Sequence, residues 1–375
     1  MKKLKLMTIV GTRPEVIKLS AFIPLADEHL EHVLVHTGQN YDYELNEVFF
    51  EELKVRKPDY FLNVSKASVA ESIGETISKI DPVLESEAPD AILIYGDTNS
   101  CLSVISAKRR KIPIFHMEAG NRCFDQRVPE EINRKIVDHL SDINMPLSEH
   151  ARRYLLDEGI SPETIIKIGS TLPEVIRNNY NAIENSNVLE GLQLTKDKYF
   201  LVSIHREENV DSDENFKDFL ETIEALSDFY NYPIVVSTHP RTAKRIKEIN
   251  YQSKSDLIKF CKPFGYFDYN KLQMNSLCVI SDSGTIAEES SILNLSSITI
   301  RQAHERPEAS DEATFIMSGL KKDSVLEAIR LVTSYEKGFG INSINDYLSD
   351  NTSLKVLRTI LSYTHYVNRT VWKKN

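Results

Sequence analysis

The sequence is poor in the features that would indicate a disulfide scaffold, a zinc site or a membrane protein. Its 375 residues include only four cysteines, and their spacing fits neither a zinc site nor a redox pair. We therefore expect reduced, mostly buried thiols and a cytoplasmic protein. No stretch approaches the roughly 18 consecutive apolar residues of a membrane span, so we expect no membrane insertion.

Positive charge is also scarcer than negative charge, and this restricts the partners. The formal net charge is −10 and the isoelectric point is about 5.6. Binding to bulk nucleic acid is therefore not expected. Any phosphate ligand has to be held by a local group of cations.

Two cofactor signatures are missing. The only G-x-G is Gly338-Phe339-Gly340, which follows no strand-like run and has no further glycine in register. A nicotinamide cofactor bound in the usual way is thus disfavoured. The zinc motif H-E-x-x-H does not occur in the sequence. We predict neither a redox cofactor nor a metal.

Strand-like apolar runs alternate with helical patterns in two successive series, which predicts an α/β fold with two doubly wound, Rossmann-like parallel sheets. The predicted strands are Leu6–Val10, His32–His36, Ala91–Tyr95, Pro113–Phe115, Ile143–Met145, Tyr199–Ile204, Ile234–Ser237, Leu257–Lys259, Leu277–Ile280 and Ser297–Ile300. The predicted helices include Glu15–Glu28, Val69–Glu87, Glu130–Leu140 and one near Leu172–Ile183.

The length fits two domains. The polar segment Asn185–Asp197 indicates a boundary around residues 170–195. We predict an N-terminal domain over residues 1–170, a C-terminal domain over 171–354, and a final helix at about 355–375 that packs back on a domain. Ligands of such sheets bind beyond the carboxyl ends of the strands, so we expect two sheets that face each other across a cleft.

A phosphate site is indicated after the strand Leu277–Ile280. Ser283, Gly284 and Thr285 follow this strand and precede a helical pattern, and free N–H groups at such a turn suit an anion. Arg301 and Arg306 lie on the next connection, where guanidinium groups can fork onto phosphate oxygens. Glu289 is close enough along the helix to accept from a ribose hydroxyl. Together these residues predict a nucleotide diphosphate clamp.

Three acids are predicted at the edge of the first sheet. Asp97 and Glu118 each end a β-rich run, and Glu131 lies in the first turn of the next helix. Glu130 is better explained as a helix N-terminal stabiliser. Acids gathered at one edge would raise one another's pKa by like-charge repulsion, which suits proton transfer near neutral pH.

Further polar residues follow the first strand of each series. Arg13 and Lys18 could reach a phosphate or sugar hydroxyls, or they could be exposed helix cations. His205 and Arg206 follow the first strand of the second series and are expected at the same edge as the clamp. A purely structural histidine remains the alternative at this position.

Taken together, these motifs resemble the non-hydrolysing UDP-N-acetylglucosamine 2-epimerase family, in family order from residue 4 to about 320. The matching segments are Gly11–Lys18, His36–Gln39, Gly96–Thr98, Glu118–Gly120, Pro129–Arg134, His205–Asn209, Asp282–Glu289 and Glu305–Glu308. The resemblance implies a two-domain fold like that of GT-B glycosyltransferases, a homodimer, a final helix that returns to the first domain, and no metal or redox cofactor.

The resemblance also implies residue roles. The implied acid/base set is Asp97, Glu118 and Glu131, with His205 near the leaving diphosphate. The implied UDP-sugar ligands are Arg13, Lys18, Arg206, Tyr269 (stacked on uracil), Ser283, Gly284, Thr285, Glu289 (on the ribose) and Arg306.

Several positions differ from typical members and are similar to one branch, which converts UDP-2-acetamido-2,6-dideoxy-L-talose to UDP-N-acetyl-L-fucosamine for capsule and O-antigen polysaccharides. The differing positions are Gln39–Asn46, Asn99–Cys101, Asn121–Cys123, Ser203–Glu207, Thr285 and His304. The alternatives left open are UDP-GlcNAc to UDP-ManNAc epimerisation, a GT-B glycosyltransferase and a non-catalytic nucleotide-sugar sensor.

The chemistry of such an epimerisation favours elimination. C2 of a UDP-N-acetylhexosamine is not adjacent to a carbonyl, so simple enolate formation is unavailable. Transient oxidation is disfavoured by the missing dinucleotide fingerprint. Elimination of UDP to a 2-acetamidoglycal and its re-addition requires acids on both faces of the sugar and a cationic clamp.

Overall fold

The computed structural model describes residues 3–38, 49–64, 68–337 and 344–374. The chain divides into two compact units. The first unit comprises Met1–Asn178 together with Asn345–Asn375, and the second comprises Asn179–Ile344. Each unit contains one six-stranded parallel sheet with flanking helices, so the predicted pair of Rossmann-like domains is confirmed.

The sheet of the first unit has the strand order β3-β2-β1-β4-β5-β6. The strands are β1 (Lys5–Val10), β2 (Glu31–His36), β3 (Tyr60–Phe61), β4 (Ala91–Tyr95), β5 (Ile114–Met117) and β6 (Ile143–Met145). All five residues of β4 are buried, as are the last five of β1. Helices cover parallel sheets on both faces, which explains why these strands are continuous apolar runs in the sequence.

The helices of the first unit are Arg13–Leu19, Phe22–His29, Val69–Glu87, Val104–Arg109, Pro129–Leu140, Glu149–Asp157, Leu172–Glu184 (which contains the division) and Thr352–Thr370. The 3-10 turns are Asn99–Ser103, Pro162–Thr164 and Asn345–Tyr347.

The single helix predicted over Glu15–Glu28 is wrong. The structure has two helices here, with a break at Ser20 and Ala21. In a continuous helix Pro24 would have no N–H for the carbonyl of Ser20, and its ring would clash there. In the second helix Pro24 lies in the first turn, where the missing N–H costs nothing.

The sheet of the second unit has the order β12-β11-β10-β7-β8-β9. The strands are β7 (Phe200–Ile204), β8 (Ile234–Thr238), β9 (Ile258–Cys261), β10 (Cys278–Ser281), β11 (Ser297–Thr299) and β12 (Ile316–Met317). The helices are Val188–Gly191, Glu207–Val210, Asp213–Tyr230, Pro240–Glu248, Tyr266–Asn275, Ile286–Leu293, Pro307–Asp311 and Lys322–Val332. The sequence did not predict β3 or β12, because two residues are too few to show a period.

The chain returns to the first unit at Asn345, ten residues earlier than about 355, where the sequence placed the return. Asp346 accounts for the difference: its carboxylate accepts from Glu149 N at 2.9 Å and from Lys167 Nζ at 2.6 Å. The motif Gln39–Asn46 and the tripeptide Gly338-Phe339-Gly340 lie outside the described residues.

Candidate functional site

The first unit brings all three predicted acids to the carboxyl ends of its strands. Asp97 follows β4, Glu118 follows β5, and Glu131 lies in the first turn of the helix Pro129–Leu140. Arg134 of the same helix donates from Nε to Asp97 Oδ2 at 2.7 Å and from Nη1 to Glu131 Oε2 at 2.9 Å. Arg134 therefore links two of the acids, and sequence reasoning gave it no role.

The third acid, Glu118, is paired with a different cation. Lys18 Nζ lies 2.6 Å from Glu118 Oε2 and 5.2 Å from the centroid of the Tyr95 ring. Asn121 Nδ2 donates to the other carboxylate oxygen of Glu118 at 3.3 Å. Lys18 is only 6% exposed, so the alternative of an exposed helix cation is excluded for this residue. The guanidinium carbon of Arg13, in the same helix as Lys18, lies 4.8 Å from the centroid of the Phe49 ring.

The expectation that these acids raise one another's pKa is wrong for Glu131. Burial raises the pKa of Glu131, but the backbone N–H of Cys123 and the ion pair with Arg134 outweigh burial and lower it below its ordinary value. The backbone N–H groups of Cys123 and Phe124 each donate to its carboxylate at 3.1 Å. Each of the three acids thus lies next to a cation, Arg134 or Lys18, and Glu131 is ionised at neutral pH.

In the second unit, an acid that the sequence prediction did not include organises the edge of the sheet. Asp282 follows β10 and is fully buried. It accepts from the backbone N–H of His205 at 3.0 Å, from that of Arg206 at 2.9 Å, and from Asn209 Nδ2 at 3.1 Å. His205 Nδ1 lies 3.0 Å from its Oδ1. Burial raises the pKa of Asp282, but His205 and these hydrogen bonds lower it to about 2.

Asp282 therefore holds the loop that carries His205 and Arg206. The signal that could have revealed it is its place directly after a buried strand and before Ser283.

The segment Ser283–Thr285, here called the anion turn, precedes the helix Ile286–Leu293, whose N-cap is Thr285. The hydroxyls of Ser283 and Thr285 lie 2.9 Å apart, and Ser281 Oγ accepts from Ser283 N at 3.0 Å. A Cβ added to Gly284 would lie 2.6 Å from Glu305 Oε1. The glycine is thus required for the close approach of this carboxylate.

The arginines beside the anion turn are buried and paired with acids. Arg301 Nη1 donates to Glu305 Oε2 at 2.9 Å, and Arg306 Nη2 donates to Glu288 Oε1 at 2.9 Å. Arg206 Nη2 lies 3.9 Å from Glu305 Oε1. The second unit therefore brings Arg206, Arg301 and Gly284 together around Glu305, a carboxylate to which the sequence prediction gave no role.

The two remaining predicted ligands contact their own unit. Glu289 Oε2 accepts from Gln273 Nε2 at 2.7 Å, and Tyr269 Oη donates to Ser203 Oγ at 3.3 Å. Their assignment to ribose and uracil stays a prediction.

The described residues contain neither a metal cluster nor a membrane-spanning helix. In residues 3–38, 49–64, 68–337 and 344–374, no three or more His, Cys, Asp or Glu side chains are grouped to hold a metal ion. Over the same ranges, no helix has the length and apolar character to cross a membrane.

The fold and the site thus define an α/β protein with two Rossmann-like units, with acids at the edge of one sheet and a Ser-Gly-Thr turn at the edge of the other. The family model described as UDP-N-acetylglucosamine 2-epimerase matches residues 25–361. A UDP-N-acetylglucosamine 2-epimerase of Methanocaldococcus jannaschii is 36% identical over 97% of this chain and 100% of the relative. The chain belongs to the UDP-N-acetylglucosamine 2-epimerase family and is an isomerase.

Relatives in this family differ in the sugar that their names give. A Pseudomonas aeruginosa UDP-2,3-diacetamido-2,3-dideoxy-D-glucuronate 2-epimerase is 30% identical over 87% of this chain and 92% of the relative. Among solved structures, a UDP-N-acetylglucosamine 2-epimerase from Rickettsia bellii is 54% identical, with a TM-score of 0.92 over 99% of this chain and 100% of that chain.

The Methanocaldococcus jannaschii enzyme in complex with UDP-GlcNAc and UDP has a TM-score of 0.89 and 35% identity, over 96% of this chain and 100% of that one. A Rickettsia africae glycosyltransferase, at 13% identity and a TM-score of 0.57, shares only the GT-B-like fold.

Proposed function

We propose that this protein inverts C2 of a UDP-N-acetylhexosamine by anti elimination of UDP and re-addition, with UDP-2-acetamido-2,6-dideoxy-L-talose as substrate and UDP-N-acetyl-L-fucosamine as product. The product is a precursor of capsule and O-antigen polysaccharides. The observation that carries the proposal is the set of three carboxylates, Asp97, Glu118 and Glu131, held at one sheet edge by Arg134 and Lys18.

The reaction needs a proton removed from C2 on one face of the sugar and delivered on the other. A carboxylate takes the C2 proton while the C1–O bond breaks and its electron pair leaves with UDP, which yields the 2-acetamidoglycal. UDP then adds back to C1 as a carboxylic acid protonates C2 on the opposite face. We assign these transfers to Asp97, Glu118 and Glu131, which are within reach of cations that hold their orientation.

Departure of UDP places negative charge on the β-phosphate, and the second unit supplies groups that suit it. We assign the diphosphate to the anion turn with Arg206 and Arg306, because backbone N–H groups at a helix start and guanidinium groups stabilise such charge. His205 is assigned to the leaving group, since Asp282 fixes the orientation of its ring through Nδ1.

The substrate proposal rests on the branch-type residues. Asn99 Oδ1 accepts from Asn133 Nδ2 at 3.1 Å, so this replacement is joined to the helix that carries Glu131. His304 Nδ1 accepts from Arg306 N at 3.2 Å, next to a proposed diphosphate ligand. The rival substrate is UDP-GlcNAc, converted to UDP-ManNAc, which the names of the Methanocaldococcus and Rickettsia relatives favour.

One experiment separates these possibilities. The protein is incubated in heavy water with each UDP-sugar, and the products are followed by NMR. We expect the L-talo sugar to give the L-fuco epimer with deuterium at C2. If UDP-GlcNAc is the only sugar that reacts, UDP-GlcNAc is the substrate and the L-talo sugar is not. An epimerised product without deuterium would exclude elimination. Release of UDP that requires an acceptor would indicate a glycosyltransferase.

Variants of the acids test the assignment. Asp97→Asn and Glu118→Gln remove a proton acceptor without changing shape, so we expect turnover to fall at least about 100-fold while UDP binding persists. Glu130→Gln, in the same helix turn as Glu131, is the matched control and should leave turnover unchanged. Wild-type turnover in both acid variants would contradict the assignment.

The resemblance further leads us to propose a homodimer that works in the cytoplasm. Light scattering should give twice the 42.9 kDa of the chain.

A further inference from the structure

We infer that Asp138, a buried residue to which the proposed mechanism gives no role, is a positioning residue that sets the places of two acids, Asp97 and Glu118, at once. The inference rests on the proposed function, because it concerns acids that transfer protons there. Asp138 lies in the helix Pro129–Leu140, and its carboxylate bonds to His116, Gly120 and Arg122 rather than to either acid.

One carboxylate collects hydrogen bonds from three separate groups. Asp138 Oδ1 lies 2.9 Å from His116 Nδ1, and Oδ2 accepts from Arg122 Nη1 at 2.8 Å and from Gly120 N at 3.1 Å. Asp138, His116 and Arg122 are each 1% exposed. Burial raises the pKa of Asp138, but the contacts with His116 and Arg122 outweigh burial and lower it, so the group is a carboxylate.

The first connection leads to Asp97. His116 spans from Asp138 to the backbone, since its Nε2 lies 2.9 Å from the carbonyl oxygen of Gly96, the residue before Asp97. Both neighbours of the ring are acceptors, a carboxylate and a carbonyl. The ring therefore ties the carboxylate of Asp138 to the backbone directly before Asp97.

The second connection leads to Glu118. Gly120, whose N–H Asp138 accepts, lies two residues after Glu118. Arg122 completes the network, because its Nε and Nη2 fork onto Glu158 at 2.8 and 2.6 Å. Within the cluster of His116, Arg122, Asp138 and Glu158, each acid thus lies against a basic side chain, as a buried ionic network requires.

The backbone around both acids needs such support. Gly96, Glu118 and Gly120 have φ of +71°, +66° and +81°. For a side-chain residue such as Glu118 this left-handed conformation is strained, and it persists only where the surroundings hold it. A Cβ on Gly120 would lie 2.3 Å from the carbonyl oxygen of Ala151, so only glycine fits where this turn packs against the helix Glu149–Asp157. Asp138 is therefore placed to hold both turns in one arrangement.

The test compares Asp138→Asn with a matched buried aspartate. Asp142 pairs with Lys108 Nζ at 2.6 Å and accepts from Ile114 N at 2.9 Å, at the opposite end of β5 from Glu118. Asp142→Asn therefore removes a buried ion pair without touching the turns of the acids. For both variants kcat, KM, UDP affinity and Tm are measured on the whole protein.

We expect Asp138→Asn to lower kcat about 100-fold with little change in KM or UDP affinity, because a displacement near 1 Å has that effect on proton transfer. Asp142→Asn should lower Tm and leave kcat near the wild-type value. In heavy water, Asp138→Asn should also change the ratio of deuterium in recovered substrate to deuterium in product, since the two acids no longer keep their relative places. A lower Tm by itself would not change this labelling ratio.

If Asp138→Asn does not fold, the variant His116→Asn tests the same inference. In His116→Asn the amide can replace Nδ1 toward Asp138, while the bond to the Gly96 carbonyl is lost. We expect a lower kcat and a changed labelling ratio there too. If wild type epimerises and Asp97→Asn is inactive, but the Asp138 and His116 variants behave like Asp142→Asn, the inference is overturned. If wild type does not epimerise any UDP-sugar, the proposed function itself fails.

Discussion

At the scale of single residues, Glu15 shows how burial changes the chemistry of a carboxyl group. It is 3% exposed, and its carboxylate accepts from Gly11 N at 2.5 Å and from the hydroxyls of Thr98 and Ser100. Burial outweighs these hydrogen bonds and raises the pKa of Glu15 to about 7. It joins the loop after β1 to the loop after β4, which carries Asp97.

This raised pKa predicts a pH dependence of stability. In the unfolded chain Glu15 titrates near 4.5, so its favourable contribution is complete below pH 4.5 and is lost as pH rises through about 7. A shift of this size corresponds to about 3 kcal/mol. We expect Glu15→Gln to abolish that loss, because its amide oxygen can accept from Gly11 N while its NH2 group donates to the hydroxyl oxygens of Thr98 and Ser100.

The measurement is urea unfolding at pH 5 and pH 8. The single tryptophan, Trp372, lies in the first unit and reports on it. Glu28→Gln removes an equal charge from a side chain that is 73% exposed and should change nothing. An equal pH dependence in wild type and Glu15→Gln would contradict the assignment.

At the scale of elements, the anion turn needs a glycine at position 284 because the side chain of Glu305 approaches its backbone closely. A left-handed backbone conformation is not the reason. In Gly284→Ala the new methyl would meet Glu305 Oε1, the end of a flexible side chain that can move. We therefore expect the fold to persist while the Arg301–Glu305 pair is displaced and UDP binds about tenfold more weakly, or about 1.4 kcal/mol.

Calorimetric titration with UDP measures this effect. Gly74→Ala is the control, since nothing lies within 4 Å of a Cβ at Gly74 in the helix Val69–Glu87. It should stabilise that helix by roughly 0.5–1 kcal/mol and leave UDP affinity unchanged. If Gly284→Ala binds UDP with wild-type affinity, the anion turn is not part of the diphosphate site and the assignment is contradicted.

At the scale of the whole molecule, the two units differ in continuity. The second unit is one stretch of chain, whereas the first is completed by the helix Thr352–Thr370, which packs against the helix Phe22–His29. Its residues Val356, Leu357 and Ile360 are buried, and each such side chain contributes about 1.5–3 kcal/mol.

Removal of residues 345–375 should therefore unfold the first unit and spare the second. Hydrogen exchange followed by mass spectrometry measures this: we expect β1 to lose protection while β7 and β10 keep it. If β1 stays protected in the truncated chain, the first unit does not depend on this helix. If both sheets lose protection together, the second unit is not independent of it.

Much of the fold was predictable because parallel strands are buried on both faces. The bounds of β4 and β6 agree with the predicted ones. Two of the four edge strands, β3 and β12, and the break after Leu19 were missed, since two-residue strands and a proline in a first turn leave little local pattern. In the site, the acids and the anion turn could be located because each follows a strand.

The partners of those residues could not be located in the same way. Arg134 is 37 positions from Asp97, and Asp282 is 77 positions from His205. No periodicity connects positions so far apart. By itself the sequence determined two parallel sheets and the strand ends at which polar residues lie, because these follow from local apolar patterns.

Only the tertiary structure decided which charges meet and how each carboxyl group titrates. Glu131 lies against Arg134 and has a lowered pKa. Glu15 is buried, accepts from a backbone N–H group and from hydroxyls, and has a pKa of about 7. The two glutamates are the same residue type, each in the first turn of a helix after a strand of the first sheet. Their difference arises from desolvation and pairing, which exist only once distant segments pack together.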